Sequence, residues 1–191
     1  MSKTANHFQI IGGNHRGRKF NFVDAPGLRP TPNKVRETLF NWIQFESNNA
    51  VFLDLFAGSG ALSFEALSRG AKQVVSIEKD FNAFQNLAKN QKILNLNNIE
   101  IINIDALNFL NKKPSKPFDF ILLDPPFHKN ILKKTLSQLS KTGFLTSGCQ
   151  VYLESEFEIT ADFLSAEISQ KIKINKQKCS GQVHYCLIEV L

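Results

Sequence analysis

Phe120-Ile121-Leu122-Leu123-Asp124-Pro125-Pro126-Phe127 joins an unbroken apolar run to a carboxylate, two prolines and an aromatic ring. Apolar residues cut off by a proline turn read as a strand buried on both faces. Asp124 then stands at the carboxyl end of a strand, where open α/β sheets bind their ligands. Upstream, Asp54-Leu55-Phe56-Ala57-Gly58-Ser59-Gly60 closes another apolar run. Working outward, strand patterns at 51–56, 73–78, 99–104, 119–124 and 150–154 alternate with helix patterns near 60–69, 80–94, 106–111 and 129–141. Asp80 is a suitable N-cap for the second helix, whose Phe81, Phe84, Leu87 and Ala88 share one side. The acidic stretch 156–167 reads as a further helix, and 171–176 and 182–190 as a closing antiparallel hairpin around Lys178-Cys179-Ser180-Gly181. Repeated β-α units predict an α/β, Rossmann-like architecture: a mostly parallel seven-stranded sheet with an antiparallel last strand and helices on both faces.

Ahead of this domain (residues 49–191) lies a small extension, residues 1–48. Residues 8–23 read as a β-hairpin with the basic, glycine-rich tip Gly12-Gly13-Asn14-His15-Arg16-Gly17. Thr31 then reads as an N-cap and Pro32 as the first residue of a helix that turns Val35, Leu39, Trp42 and Ile43 inward. At 191 residues, 42% hydrophobic and 21% charged, the chain is an ordinary globular one rather than a disordered one. It has no apolar run near the ~18 residues that span a bilayer, and its first residues lack a signal-peptide core, so a cytoplasmic location is expected. Cys149, Cys179 and Cys186 are scattered and read as small buried side chains, with no metal site. Of the net charge of +6, residues 1–40 hold seven cationic side chains against Asp24 and Glu37. Such segregation is an electrostatic footprint for a polyanion.

Gly58 and Gly60 permit a tight strand-to-helix turn, and the helix that follows aims free N–H groups at the site. Glu78, at the end of the next strand, suits the hydroxyls of a ribose. A dinucleotide fingerprint would carry glycine where Ser63 stands, and Asp54 beside the turn suits a cation better than a pyrophosphate. Both observations favour S-adenosylmethionine, which carries a sulfonium and an ammonium group, over a nicotinamide cofactor. Asp105 and the Ala106 N–H are positioned for an adenine, and Asp105 also suits a helix cap. An exocyclic base amine is a poor nucleophile because its lone pair is delocalised into the ring. Asp124 and the Pro125 carbonyl can each accept one amino hydrogen, the prolines stiffen the turn, and Phe127 can stack on the base. Residues 124–127 therefore read as the catalytic segment for methyl transfer to such an amine.

These two motifs resemble those of Rossmann-like methyltransferases that modify amino groups of bases. Ile10-Ile11-Gly12-Gly13-Asn14-His15-Arg16-Gly17-Arg18-Lys19 and Leu28-Arg29-Pro30-Thr31-Pro32-Asn33-Lys34-Val35-Arg36-Glu37-Thr38-Leu39-Phe40-Asn41 are similar to the RsmD family, bacterial enzymes that methylate guanine N2 in 16S ribosomal RNA. The resemblance implies adenosylmethionine as donor and 16S rRNA, in the small subunit or a late assembly particle, as substrate. It implies a donor site of Asp54, Phe56, Ala57, Gly58, Gly60, Glu78, Lys79, Asp105 and Ala106, with Arg29 and Thr31 nearby. RNA contacts fall to Arg16, Arg18, Lys19 and Arg36, and a monomer is expected. Lys34 stands where these enzymes often carry an acidic residue or arginine. His128 reads as a surface or packing residue, and the lysines at 171, 173, 176 and 178 as one solvated strand face. A DNA adenine-N6 or cytosine-N4 methyltransferase, or a non-catalytic RNA-binding assembly factor, would share parts of this pattern.

Overall fold

Each apolar run of the β-α repeat finds its neighbour in one sheet. The computed structural model describes residues 6–22, 31–127 and 130–191. β1 (Asn6–Gln9) and β2 (Lys19–Phe22) pair as an antiparallel hairpin, and α1 (Asn33–Trp42) follows. The repeat then runs β3 (Val51–Asp54), α2 (Ala61–Ser68), β4 (Gln73–Glu78), α3 (Phe81–Leu94), β5 (Ile99–Asn103), α4 (Ala106–Phe109), β6 (Phe120–Leu123), α5 (Ile131–Thr142), β7 (Gln150–Ser155) and α6 (Ala161–Glu167). β8 (Ile172–Ser180) and β9 (Val183–Val190) end the chain. The sheet order is β5-β4-β3-β6-β7-β9-β8, parallel from β5 to β7, with β9 antiparallel to both of its neighbours. The chain leaves β3 toward β4 and returns to β6 on the other flank of β3. The loops after β3 and β6 therefore diverge, which opens a crevice at that end of the sheet.

Alternation along the central strands divides the core. Phe52, Phe120, Leu122 and Tyr152 face one side, where they meet the hairpin, α1, α2 and α3. Leu53, Ile121, Leu123, Val151 and Leu153 face the other, where α4, α5 and α6 pack. The hairpin shares this core, with Phe8, Ile10, Phe20 and Phe22 all buried. Its tip is docked on α2: Asn14 N donates to Ser68 O (2.8 Å) and His15 N to Ser68 Oγ (2.9 Å). Gly13 has φ +76°, and a Cβ there would lie 1.8 Å from the Ser68 carbonyl oxygen, so only glycine lets the tip seat. Arg16, Arg18 and Lys19 remain exposed on the outer side.

Beneath the tip, the fully buried Glu65 of α2 accepts from Ile11 N and Gly12 N, each at 2.8 Å, and from Arg69 Nε at 2.9 Å. It also faces Arg36 Nε of α1 at 3.6 Å. Arg36, expected on the RNA surface, is instead completely buried; it donates to Gln9 O and Asn33 Oδ1 and lies over the Phe8 ring. The guanidinium is thus not presented at the surface, against the expected RNA contact.

Other departures are local. α1 starts at Asn33, with Pro32 at the N-cap and no side-chain cap, because the Thr31 hydroxyl is bonded elsewhere. Thr160 caps α6 through Phe163 N, so Glu156 and Glu158, expected within the helix, fall before its start. Asp80 caps α3 as expected, but Ala83, Leu87, Asn90 and Leu94 form its buried stripe, leaving Phe81 57% exposed. β8 continues to Ser180 and leaves a two-residue turn, and its lysines are exposed. Cys149 and Cys186 are buried, whereas Cys179 is exposed on that outer strand. No helix among the described residues is long and apolar enough to cross a membrane. Glu65→Ala removes the counter-charge of buried Arg36 and orphans two backbone N–H groups. We expect denaturant titration to show a loss of about 3–5 kcal/mol of unfolding free energy.

Candidate active site

Five acidic side chains gather where the strands end. Asp54 closes β3, Glu78 closes β4, Asp105 follows β5, Asp124 follows β6, and Glu154 lies near the end of β7. Their strands are neighbours in the order β5-β4-β3-β6-β7, so the two sequence motifs meet at the strand-order switch between β3 and β6.

The glycine turn is built around two of these acids. Glu78 accepts Gly58 N through Oε2 and Asp80 N through Oε1, both at 2.7 Å, and so staples the turn after β3 to the end of β4. Gly60, at φ +84°, has no room for a side chain; a Cβ would come within 2.5 Å of both Leu87 and Phe64. Its bare Cα lets the turn pack closely against Leu87 and Phe64. Ala57 is buried, Phe56 and Gly58 are half-buried, and Lys79 is exposed. Asp105 caps α4 by accepting Leu107 N (3.0 Å) and Asn108 N (3.4 Å), which holds the Ala106 N–H at the helix start.

Asp54 is 1% exposed; Oδ2 accepts the Ser63 hydroxyl at 2.6 Å and Oδ1 accepts Phe56 N at 3.3 Å. Ser63 also meets Ser76 Oγ at 2.8 Å, which explains a serine where a dinucleotide turn would have glycine. Burial drives the Asp54 pKa up to about 7 against these hydrogen bonds, with help from the charges of Asp124 and Glu78. Asp124 is likewise raised to about 6 by burial, opposed by the Thr31 hydroxyl that donates to Oδ2 at 2.9 Å. Thr31, expected near the donor, here bonds to Asp124. Pro125 is buried, and Pro126 and Phe127 are half-buried. Arg29 and His128 lie outside the described residues.

Glu154 and Tyr152 were not foreseen. Glu154 is 2% exposed and accepts the Tyr152 hydroxyl at 2.9 Å. Its signal was an acid at the end of an apolar strand, the same signal that Asp54 and Asp124 give. Among the described residues none of Asp54, Glu78, Asp124 and Glu154 has an ion-pair partner. Carboxylates crowded at one crevice, with no cation paired to them among the described residues, suit a cationic ligand, and the sulfonium and ammonium of adenosylmethionine fit that donor set. Asp54 carries a testable linkage. With its folded pKa near 7 and an ordinary unfolded value, the folded protein holds a proton that the unfolded chain has released between these limits. Stability of the ligand-free protein therefore falls as pH rises from about 4 to about 7. Asp54→Asn should flatten this decline in denaturant titrations made at a series of pH values.

The comparisons with known proteins agree with this geometry. A family model described as "Conserved hypothetical protein 95" matches residues 8–189. Ribosomal RNA small subunit methyltransferase D of Escherichia coli K12 is 42% identical over 181 residues, 95% of this chain and 89% of that protein. The protein of the same name from Haemophilus influenzae is 42% identical over 151 residues, 78% of each chain. A solved Escherichia coli structure, described provisionally as a methyltransferase, superposes with a TM-score of 0.84 at 40% identity, covering 97% of this chain and 98% of its own. A Haemophilus influenzae structure described provisionally as a methylase gives 0.81 at 36% identity, covering 97% and 99%. Joined to an acidic crevice at the β3–β6 switch, matches of this extent mean that the chain belongs to the RsmD family of Rossmann-like methyltransferases.

Proposed function

We propose that this protein methylates the exocyclic N2 of a guanine in 16S ribosomal RNA, acting on the small subunit or a late assembly particle, with adenosylmethionine as donor. The observation that carries the reading is Asp124, set at the strand-order switch beside Asp54 in a chain of this family. Relatives named for the small-subunit RNA support the substrate class.

Asp54, Glu78, Asp105 and the backbone of residues 56–58 and 106 would hold the donor. Once bound, adenosylmethionine supplies an electrophilic methyl group. The chain's own residues prepare the nucleophile. The Asp124 carboxylate and the Pro125 carbonyl accept the two amino hydrogens and draw the nitrogen out of conjugation. Positive charge grows on that nitrogen during attack, so a fixed carboxylate favours the transition state over the ground state. The surplus proton leaves through Asp124 to water. Pro125 and Pro126 keep the turn stiff, and Phe127 stacks on the unpaired base. Arg16, Arg18 and Lys19, exposed on the docked tip, contact phosphates and set register without reading bases.

Tritium transfer from labelled adenosylmethionine to small subunits, naked RNA and DNA, side by side, tests the reading; label in DNA alone, or in none of the three, would refute it. Asp124→Ala should lower methyl transfer at least about 100-fold with RNA affinity nearly unchanged, the outcome a non-catalytic assembly factor would not give. Because Asp124 must be ionised, the rate should fall as pH drops through about 6. Removing the charges of Arg16 and Arg18 should weaken RNA binding and cut the salt slope by about 1 per lost phosphate contact, read by binding isotherms at several salt concentrations.

A further inference from the structure

β8 is the outer strand of the sheet, and its lysines do not follow a plain two-residue alternation. Ile172 and Ile174 pack with Ile188 and Val190 on the side of the sheet that carries α4, α5 and α6. Lys173, between them, faces the other side. Strict alternation would turn Lys176 and Lys178 the same way as the isoleucines. The pairing instead skips Asn175: Ile174 stands opposite Ile188, and Lys176 opposite Leu187, the very next residue of β9. This bulge resets the phase. Lys176 and Lys178 therefore share a side with Leu187 and Tyr185, the side that carries the hairpin and α1. The displaced Asn175 donates to Glu189 Oε2 at 3.0 Å, so the carboxylate opposite Lys173 is already engaged. β8 is antiparallel to β9, and β9 to β7, so the later residues of β8 lie at the crevice end of the sheet. Leu123 pairs with Leu153, Glu154 with Tyr185, and Tyr185 with Lys178. Asp124, Glu154, Tyr185 and Lys178 thus form one row across β6, β7, β9 and β8, with three strand spacings, about 14 Å, between the acid and the lysine.

Taking ribosomal RNA as the substrate, as the proposed function does, we propose that Lys176 and Lys178 form a second phosphate-binding surface. It holds the RNA backbone a few nucleotides from the target guanine, on the flank of the crevice away from the hairpin. The hairpin sits over α2 and α3, where Asn86 Nδ2 donates to Asn21 O at 3.0 Å, and these helices cover β3, β4 and β5. β8 lies at the other edge of the sheet, and Asp124 lies between the two basic surfaces. Lys176 and Lys178 are exposed, and among the described residues no carboxylate pairs with them. A lysine ammonium is a compact charge on a flexible stem, suited to a phosphate whatever base it carries. The acids of the crevice repel a polyanion, so a strand drawn across them is held best by cations on both sides. Lysines on an edge strand also discourage another strand from adding there. That role needs charge on the edge but not its collection on the crevice side, which the bulge at Asn175 secures.

The test measures binding to purified small subunits at several salt concentrations, with thermal melting as the folding control. It compares wild type with Lys176→Gln/Lys178→Gln and with a second pair of equal charge loss, Lys72→Gln/Lys116→Gln. Lys72 and Lys116 are exposed at the other end of the sheet, ahead of β4 and β6. Lys176→Gln/Lys178→Gln should bind about tenfold more weakly, with the salt slope reduced by about 1 to 2. Its kcat/KM for subunits should fall in step with affinity. Lys72→Gln/Lys116→Gln should stay within about twofold of wild type at the same slope. Wild-type affinity and slope in Lys176→Gln/Lys178→Gln overturn the proposal, and so does an equal loss in the second pair, which would reduce the effect to net charge. Adding Cys179→Lys to Lys176→Gln/Lys178→Gln returns a cation to β8 on its opposite side, facing away from the crevice side. Affinity should stay low, and its recovery to the wild-type value would show that the side is immaterial and refute the surface. Binding and methylation fail separately. Weakened binding in a protein whose wild type leaves guanine N2 unmethylated would sink the proposed reaction and keep the phosphate contact, whereas unchanged binding beside normal methylation would sink the contact alone.

Discussion

The buried carboxylate of Glu65 binds together parts of the chain that are far apart in sequence. It receives the backbone of the hairpin, the guanidinium of α1 and its own helix neighbour Arg69. With those contacts made, α1 has one place to lie, and the residue just before it, Thr31, comes to rest on Asp124, 93 positions away. The N-terminal segment is therefore part of the fold: it closes the apolar core over one sheet face and supplies a hydrogen bond to the turn that follows β6. A buried ion pair is an expensive way to hold two helices, and here it also fixes the angle at which the hairpin and α1 meet the sheet.

The crevice has the opposite character. Asp54, Asp124 and Glu154 are kept at elevated pKa, each mainly by burial. Among the described residues their partners are only hydroxyls and backbone N–H groups. Such crowding of acids is typical of a site built for a ligand of opposite charge. Glu78 is the exception in kind: both its oxygens are engaged by backbone N–H groups, so it shapes the turn as well as lining it.

Much of this was legible because the signals are local. A strand's period, the cap at Asp80 and the proline turn after Asp124 depend on residues within a few positions of each other, and the structure keeps them all. What escaped depends on partners distant in sequence. Arg36 looks like one more surface cation until Glu65 is brought beside it. Thr31 has the composition of a helix cap, yet tertiary contact gives its hydroxyl to a carboxylate and leaves Pro32 at the cap position. Glu154 belongs to no short motif, and its meaning appears only when β6 and β7 pair in register. On α3 the apolar stripe is offset from the one that hydrophobicity suggested, because Phe81 follows the cap and turns outward.

The seating of the hairpin tip on α2 bears on how a ribosomal particle would be recognised. A loop anchored by Ser68 and Gly13 presents Arg16, Arg18 and Lys19 on a preformed surface, so under the proposed function little chain entropy would be surrendered on meeting phosphates. A stiff array of cations cannot mould itself to any polyanion it encounters. It would discriminate by shape, and RNA whose backbone has not yet taken the matching contour would be engaged only weakly.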